Sequence, residues 1–442
     1  MVMMASQCPD LDILVVDISE ERISAWNSSD SSSFPIYEPG LAEAVTACRG
    51  RNLRFSTEVE SAITECDIIF VCVNTPTKTS GMGAGRAANL GPWEAAGRTI
   101  ARCATSNKIV VEKSTVPVRT AEALGRVLEE SSTSEANFVI LSNPEFLAEG
   151  TAMSDLASPD RVLIGAPSTQ AGTYASTLLV NIYTRWVGRE KIISTNLWSS
   201  ELSKLAANAF LAQRVSSINA VAMICEATGA DVEEVALAVG TDSRIGNRFL
   251  KASVGFGGSC FKKDILSLVY LCEQLGLHSV AAYWQQVVDL NELQKKSFVE
   301  KIVASMFTTV AGKAIAVFGF AFKNNTSDTR ESPAIAVCSQ LMDEGAKLTI
   351  YDPRVSLAQI RLDLEPYDGR YEVSTNLHAS ARKAHAIIVL TDWDEFRDVD
   401  YKSLYDAMEK PAFVFDGRNI VDHQKLKEFG FVVKAIGKSL GL

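Results

Sequence analysis

The run Val254-Gly255-Phe256-Gly257-Gly258-Ser259-Cys260-Phe261-Lys262-Lys263-Asp264 places one cysteine between a glycine-rich loop and an apolar helical stretch. Backbone N–H groups at a helix N-terminus and neighbouring lysines stabilise a thiolate, so the pKa of Cys260 is expected to fall, which makes Cys260 the first candidate nucleophile. Asp264 follows four residues later. It could hold a water or pair with a lysine, or it could cap the helix before Ile265-Leu266. Ser200, Lys204 and Asn208 recur every four residues and so share one helix face. A lysine on such an apolar helix commonly snorkels to the surface. Buried beside Cys260, an ammonium and a carboxamide would instead stabilise an oxyanion. Glu145, after Asn143-Pro144, and Glu149, before Gly150, are carboxylates placed for general-base work or for a solvated loop.

These groups need elements to hold them. Apolar runs at Ile13-Leu14-Val15-Val16, Leu53-Arg54-Phe55, Ile68 to Val73, Ile109-Val110-Val111 and Phe138 to Leu141 alternate with helical patterns. That alternation predicts a doubly wound α/β domain with a parallel sheet covered on both faces. Ligands of such sheets sit at the carboxyl ends of the strands, here Asp17, Asn74-Thr75-Pro76-Thr77, Ser114-Thr115 and Asn143-Pro144-Glu145. Asp17 occupies the place of the carboxylate that binds the ribose diol of NAD, or else caps a helix from Ser19. A glycine fingerprint would lie about 20 residues earlier. Only 16 residues precede Asp17 and none is glycine, so the chain reads as beginning inside the first helix of a truncated domain.

From Leu197 to Ala227 the sequence is rich in Ala, Leu, Ser and Asn, which predicts one long, mostly buried helix, followed by a second near Val232–Val239. The last third repeats the strand–helix alternation, and Asp352 ends its second strand as Asp17 does in the first half. The expected organisation is two Rossmann-like doubly wound domains, 1–195 and 301–442, joined by a long helix and a helical domain over 196–300. Gly319-Phe320-Ala321-Phe322-Lys323 stands where a glycine loop would open the C-terminal half, and its aromatic and lysine content suits base stacking and phosphate pairing. The Ser28–Ser33 stretch reads as a surface loop.

The chain has 442 residues, 47% of them hydrophobic, enough for two or three cored domains. A net charge of −10 argues against nucleic acid or an anionic membrane as partner and favours small-molecule chemistry. The nine cysteines are scattered without C-x-x-C spacing, and the four histidines lie far from them, so no metal site or disulfide framework is expected. Apart from Cys260 they read as buried hydrophobes. Without a signal-like N-terminus or a run of about 18 apolar residues, a cytoplasmic location is expected.

Taken together, Pro35-Ile36-Tyr37-Glu38-Pro39-Gly40, Val73-Asn74-Thr75-Pro76-Thr77, Glu112-Lys113-Ser114-Thr115-Val116-Pro117, Ser142-Asn143-Pro144-Glu145-Phe146-Leu147-Ala148-Glu149-Gly150, Glu201 to Phe210, the Cys260 segment, and Gly319 to Lys323 with Asp328-Thr329-Arg330-Glu331 resemble the UDP-glucose 6-dehydrogenases of eukaryotic type. The resemblance implies NAD-dependent four-electron oxidation of UDP-glucose to UDP-glucuronate through a Cys260 thiohemiacetal and thioester. It implies that Lys204 and Asn208 stabilise the oxyanion, that Asp264 orients a water with Lys204, that Glu145 is a general acid or base, and that Thr115 helps hold the water. Implied substrate contacts are Phe146, Leu147, Lys204, Phe249, Lys251, Phe256, Gly257, Phe322 and Lys323, with Arg244 reaching a neighbouring subunit's site. Implied NAD contacts are Asp17, Arg22, Thr75, Thr115, Glu149 and Arg330. A homo-oligomer on the central helices, a hexamer of dimers, is implied too. Departures are the absent first strand and glycine loop, which should weaken the N-terminal domain and NAD binding, and Asn89, Lys262 and Ser327 where Asp, Gln and Gly are usual. Alternative readings are a non-catalytic nucleotide-sugar-binding paralogue and a dehydrogenase of another nucleotide sugar.

Overall fold

The computed structural model describes residues 1–439, so 440–442 of the expected C-terminal domain lie outside the described residues. The chain divides into two compact units, Met1–Ala207 with Leu266–Gly276, and Asn208–Ile265 with the residues from Leu277 onward.

In the first unit, helix α1 (Val2–Gln7) precedes β1 (Ile13–Val16) and β2 (Leu53–Ser56), which pair in parallel as a two-stranded sheet. A separate five-stranded sheet follows, in the order β3 (Ile68–Val71), β4 (Lys108–Glu112), β5 (Phe138–Ser142), β6 (Val162–Ala166), β7 (Ile192–Asn196). The single doubly wound sheet expected here is therefore replaced by two. All four residues of β1 are only half-buried, because no described strand bridges β1 and β3. β6 and β7, not anticipated from the sequence, extend the sheet through one antiparallel pair, Ser142 opposite Gly165. Helix α2 (Thr120–Ser131) buries Leu124 and Leu128 against Val110 and Ile140. Each such leucine contributes about 2 kcal/mol of hydrophobic burial. In register, Val71 stands opposite Glu112 and Glu112 opposite Ser142, so three strand ends align at one edge.

Helix α3 (Leu197–Thr228) starts at the expected residue, with Asn196 Oδ1 accepting the Ser199 N–H at 2.8 Å. Its first turns belong to the first unit and the rest to the second. The helices α4 (Val232–Thr241), α5 (Phe261–Gln274) and α6 (His278–Ser305) follow, and α6 continues five residues past the expected domain limit at 300.

The second unit carries one parallel sheet of six strands, ordered β10-β9-β8-β11-β12-β13: β8 (Ala314–Phe318), β9 (Lys347–Tyr351), β10 (Tyr371–Val373), β11 (Ala386–Val389), β12 (Phe413–Asp416) and β13 (Val432–Ala435). This is the doubly wound order expected of a Rossmann-like domain. Gly319 leaves β8 at φ 93°, and a Cβ there would lie 2.4 Å from Thr391 Cβ, so only glycine fits. The Phe320 part of the expected base-stacking loop is corrected: Phe320 is fully buried in the core. Its N–H and that of Ala321 donate to Asp352 Oδ2 at 2.7 and 3.0 Å, leaving Phe322 and Lys323 as the half-buried members of the loop.

The cysteine expectation holds for Cys8, Cys48, Cys225, Cys272 and Cys338, but Cys66 and Cys103 are half-buried and Cys72, just past β3, is exposed. Among the described residues no helix is long and apolar enough to cross a membrane.

Candidate functional site

Helix α5 begins one residue after Cys260, whose carbonyl accepts the Asp264 N–H at 2.9 Å. Cys260 is thus the N-cap, and its thiol is exposed with Ser259 Oγ 3.5 Å from Sγ. Asp264 does not cap the helix; it lies in the first turn and is 1% exposed. Its Oδ2 accepts the Asn208 amide N–H at 2.6 Å, and Lys263 Nζ lies 3.4 Å from Oδ1. A buried carboxylate needs such donors, since an uncompensated one costs several kcal/mol.

The loop ahead of Cys260 is packed tightly. A Cβ on Gly257 would lie 2.5 Å from the Glu331 carbonyl oxygen and 2.9 Å from Phe322 Cβ, and the Gly258 N–H donates to the Arg330 carbonyl at 2.9 Å. Phe256 is buried, its N–H donating to Asn291 Oδ1 at 2.8 Å, while Asn291 Nδ2 donates back to the Phe256 carbonyl. Asn291 was not singled out in the sequence because nothing in α6 marks which polar residue faces inward. Arg418 was missed likewise: it donates to the carbonyls of Leu390 at 2.6 Å and Phe322 at 2.8 Å, clamping the base of the Phe322-Lys323 loop.

The other expected contacts of this unit are more open. Phe249 is 42% exposed at φ 62° and its ring lies 6.4 Å from that of Phe261. Lys251 is exposed. Arg244 is an exposed side chain paired with Asp242 at 2.6 Å, and Arg330 pairs with Asp328 at 2.6 Å. Lys262 is held by Glu331 at 2.8 Å.

In the first unit, Thr75 Oγ donates to the Thr115 carbonyl at 2.8 Å and Ser114 Oγ to the Val73 carbonyl at 2.7 Å, so the turns after β3 and β4 brace each other. Buried Asn143 donates to the Leu163 carbonyl at 2.8 Å and accepts the Tyr183 hydroxyl at 2.7 Å. That anchor presents Glu145 to solvent and leaves Phe146, Leu147 and Glu149 half-buried. The Phe146 ring takes Arg161 Cζ at 3.8 Å and Lys204 Nζ at 5.4 Å from its centroid. Lys204 is 7% exposed and Ser200 fully buried, so Lys204 does not snorkel. Glu38 accepts the N–H groups of Gly150 and Ala152 at 2.7 and 3.2 Å, a role for the Pro35–Gly40 segment that its sequence did not disclose.

Asp17 stands directly after β1 and accepts the Ser19 N–H at 2.9 Å, with Arg22 3.4 Å from Oδ2. The helix cap is Ser19, which accepts the Arg22 N–H, and not Asp17. A carboxylate at a strand end with room for further donors fits the ribose end of NAD. Thr75, Thr115 and Glu149 follow the strand ends where such a cofactor lies. Helix α1 starts at Val2 with Met1 as its N-cap.

Comparison with known proteins matches the two α/β portions and the helices between them to one family. Residues 1–187 match the NAD binding domain of the UDP-glucose/GDP-mannose dehydrogenase family, 198–293 its central domain, and 316–423 its UDP binding domain. UDP-glucose 6-dehydrogenase 1 of Oryza sativa subsp. japonica is 58% identical over 457 aligned residues, covering all of this chain and 94% of that protein. UDP-glucose 6-dehydrogenase 1 of Arabidopsis thaliana is 57% identical over 458, with the same coverage. Among solved structures, a UDP-glucose dehydrogenase from Pyrobaculum islandicum superposes with a TM-score of 0.84 at 29% identity over 97% of this chain and 94% of that one. With its NAD-binding, central and UDP-binding portions matched in order along the chain, the chain belongs to the UDP-glucose/GDP-mannose dehydrogenase family.

Proposed function

We propose that this chain is an NAD-dependent UDP-glucose 6-dehydrogenase that oxidises C6 of the sugar from alcohol to carboxylate. The observation that carries the reading is the exposed Cys260 thiol at the head of α5, one turn from a buried Asp264 that is hydrogen bonded to Asn208. NAD, when bound, supplies the hydride acceptor for two successive oxidations, with Asp17, Arg22, Thr75, Thr115, Glu149 and Arg330 holding it. Between them the Cys260 thiolate adds to the C6 aldehyde, forming a C–S bond while the carbonyl electron pair moves to oxygen and takes up a proton. The Asn208 amide has a second N–H beyond the one given to Asp264, and with the Lys204 ammonium it stabilises that oxygen while it is anionic. The second oxidation leaves a thioester. Asp264 orients the water and Glu145 takes its proton, Thr115 helping to hold it, so that hydrolysis breaks the C–S bond and returns the thiol with UDP-glucuronate.

The same reading assigns 1–195 to NAD, 196–300 to oligomerisation and 301–442 to the UDP-sugar. Phe146, Leu147, Phe249, Lys251, Phe256, Gly257, Phe322 and Lys323 line the substrate, and Arg244 serves a neighbouring subunit. In support of self-association through the central helices, Phe210, Tyr283, Val280 and Leu277 are large apolar residues left exposed. Dimers assembled into a hexamer, in the cytoplasm, complete the proposal.

The test is to mix the purified chain with UDP-glucose and NAD and measure NADH and UDP-glucuronate. Two NADH per UDP-glucuronate is the expected stoichiometry. UDP-glucose binding without NADH production would overturn the assignment.

A further inference from the structure

Two carboxyl groups in the first unit meet in the core. Glu112 ends β4, is 1% exposed, and stands opposite Ser142 in the strand register. Glu201, in the first turns of α3, is 2% exposed and its side chain contacts that of Glu112. Taken as carboxylates, the two groups are buried, adjacent like charges, and the Ser142 hydroxyl is the donor that faces Glu112, an arrangement that a folded protein does not hold at such a cost. A proton on Glu112 removes the conflict, because its O–H then donates to Glu201. The Glu201 carboxylate also accepts the backbone N–H groups of Arg119 at 2.6 Å and Ala121 at 2.7 Å.

Those two N–H groups open helix α2, and Arg119 is in the left-handed conformation at φ 77°. The loop they end begins at Glu112 itself and contains Ser114 and Thr115. Glu201 lies three residues before Lys204 on α3. One pair of side chains thus connects the end of β4, the start of α2 and the turn of α3 that presents Lys204.

We propose that Glu112 and Glu201 share a single proton and act as positioning residues for the dehydrogenase reaction, fixing the Thr115 loop against the Lys204 turn. This rests on the function proposed above. Burial pushes the Glu112 carboxyl well above the ordinary carboxylate range and the Glu201 charge adds to it. Glu201 and the Ser142 hydroxyl are the groups facing Glu112; Glu201 is faced by Glu112 and by the N–H groups of Ala121, Arg119 and Thr120.

Full-length wild type, Glu112→Gln and Glu112→Ala separate the possibilities. A group whose pKa is raised on folding contributes stability fully present below its unfolded value of 4.5 and lost as pH rises toward its folded value. Glutamine keeps a neutral donor to Glu201 but cannot titrate, so the Tm of Glu112→Gln relative to wild type should climb as pH rises above 4.5. Amide exchange over 114–121 should be about tenfold faster in Glu112→Ala and restored by Glu112→Gln. In turnover with UDP-glucose and NAD, Glu112→Ala should lose about 10- to 100-fold in kcat with little change in KM, again rescued by glutamine. A constant Tm difference across that pH range overturns the shared proton. Wild-type exchange in Glu112→Ala overturns the positioning role, and, should that variant not fold, failure of Glu112→Gln to retain wild-type exchange does the same. A wild-type chain without turnover would refute the proposed function alone, because the Tm and exchange measurements need no activity.

Discussion

Asn208 supplies a hydrogen bond to buried Asp264 in addition to the role proposed for it at the sugar. Replacing it with alanine leaves a carboxylate that is 1% exposed without its 2.6 Å donor. Asn208→Ala should therefore lower the stability of the second unit by about 2 kcal/mol, readable by chemical denaturation. It should also lower kcat by about 10²- to 10³-fold, as removal of one oxyanion donor does, with a smaller effect on KM. Equal stability and equal kcat would remove Asn208 from the mechanism. At this scale Cys260 was legible because a glycine loop followed by a helical pattern fixes where a thiol meets backbone N–H groups. The burial of Asp264, Glu112 and Glu201 was not, since a carboxylate after a strand or within a helix looks the same in sequence whether its partner is water or another side chain.

The elements around the site are held by close approach and by buried polar anchors. Gly257→Ala would set a methyl group 2.5 Å from the Glu331 carbonyl oxygen, and the segment carrying Phe322 and Lys323 must give way. Overpacking of this kind costs about 1–3 kcal/mol. UDP affinity, measured calorimetrically on the folded variant, should fall by about tenfold or more, and unchanged affinity would show that the loop does not shape the UDP site. A second anchor is Asp416 at the end of β12. It accepts the N–H groups of Arg418, Ile420 and Val421 at 2.8–3.0 Å, with His423 Nε2 at 2.9 Å. Burial alone would raise its pKa, but the His423 contact and the N–H groups of Val421 and Arg418 outweigh it and hold the carboxyl below its ordinary value of 3.8. Its stabilisation is therefore present above pH 3.8 and lost as pH falls through the folded value. Asp416→Asn should be less stable than wild type by about 2 kcal/mol at neutral pH, the gap closing in acid; a gap independent of pH would contradict this assignment. Strands β4, β5 and β8 were legible as continuous apolar runs, and α3 from its composition. β7 was not, because Ile192-Ile193-Ser194-Thr195-Asn196 buries only its first residue. Nor was the split of the first sheet, which depends on what pairs with β1 rather than on β1 itself.

The two units differ in how their cores are joined, and that difference should be visible in the whole molecule. One continuous apolar cluster runs through the second unit from Ile218 to Ile436 beneath six paired strands. The first unit divides its core among separate clusters, one around Val111 and Leu179, one around Leu124 and Ile140, and one around Val45 and Leu53 beneath the two-stranded sheet. A two-stranded sheet is marginal by itself, and the half-buried β1 contributes little apolar burial. Heating the full chain should accordingly give two transitions, the lower one belonging to the first unit. Ligands assign them. UDP at about 100 times its dissociation constant adds about 2.7 kcal/mol to the unit that binds it, or roughly 5–10 °C in a domain of this size, and should move the upper transition alone. NAD should move the lower one by an amount set by its own affinity. Scanning calorimetry with each ligand decides between this and a single cooperative unfolding shifted alike by both, in which case the divided core of the first unit carries no energetic weakness and its β1–β2 sheet is held as firmly as the rest.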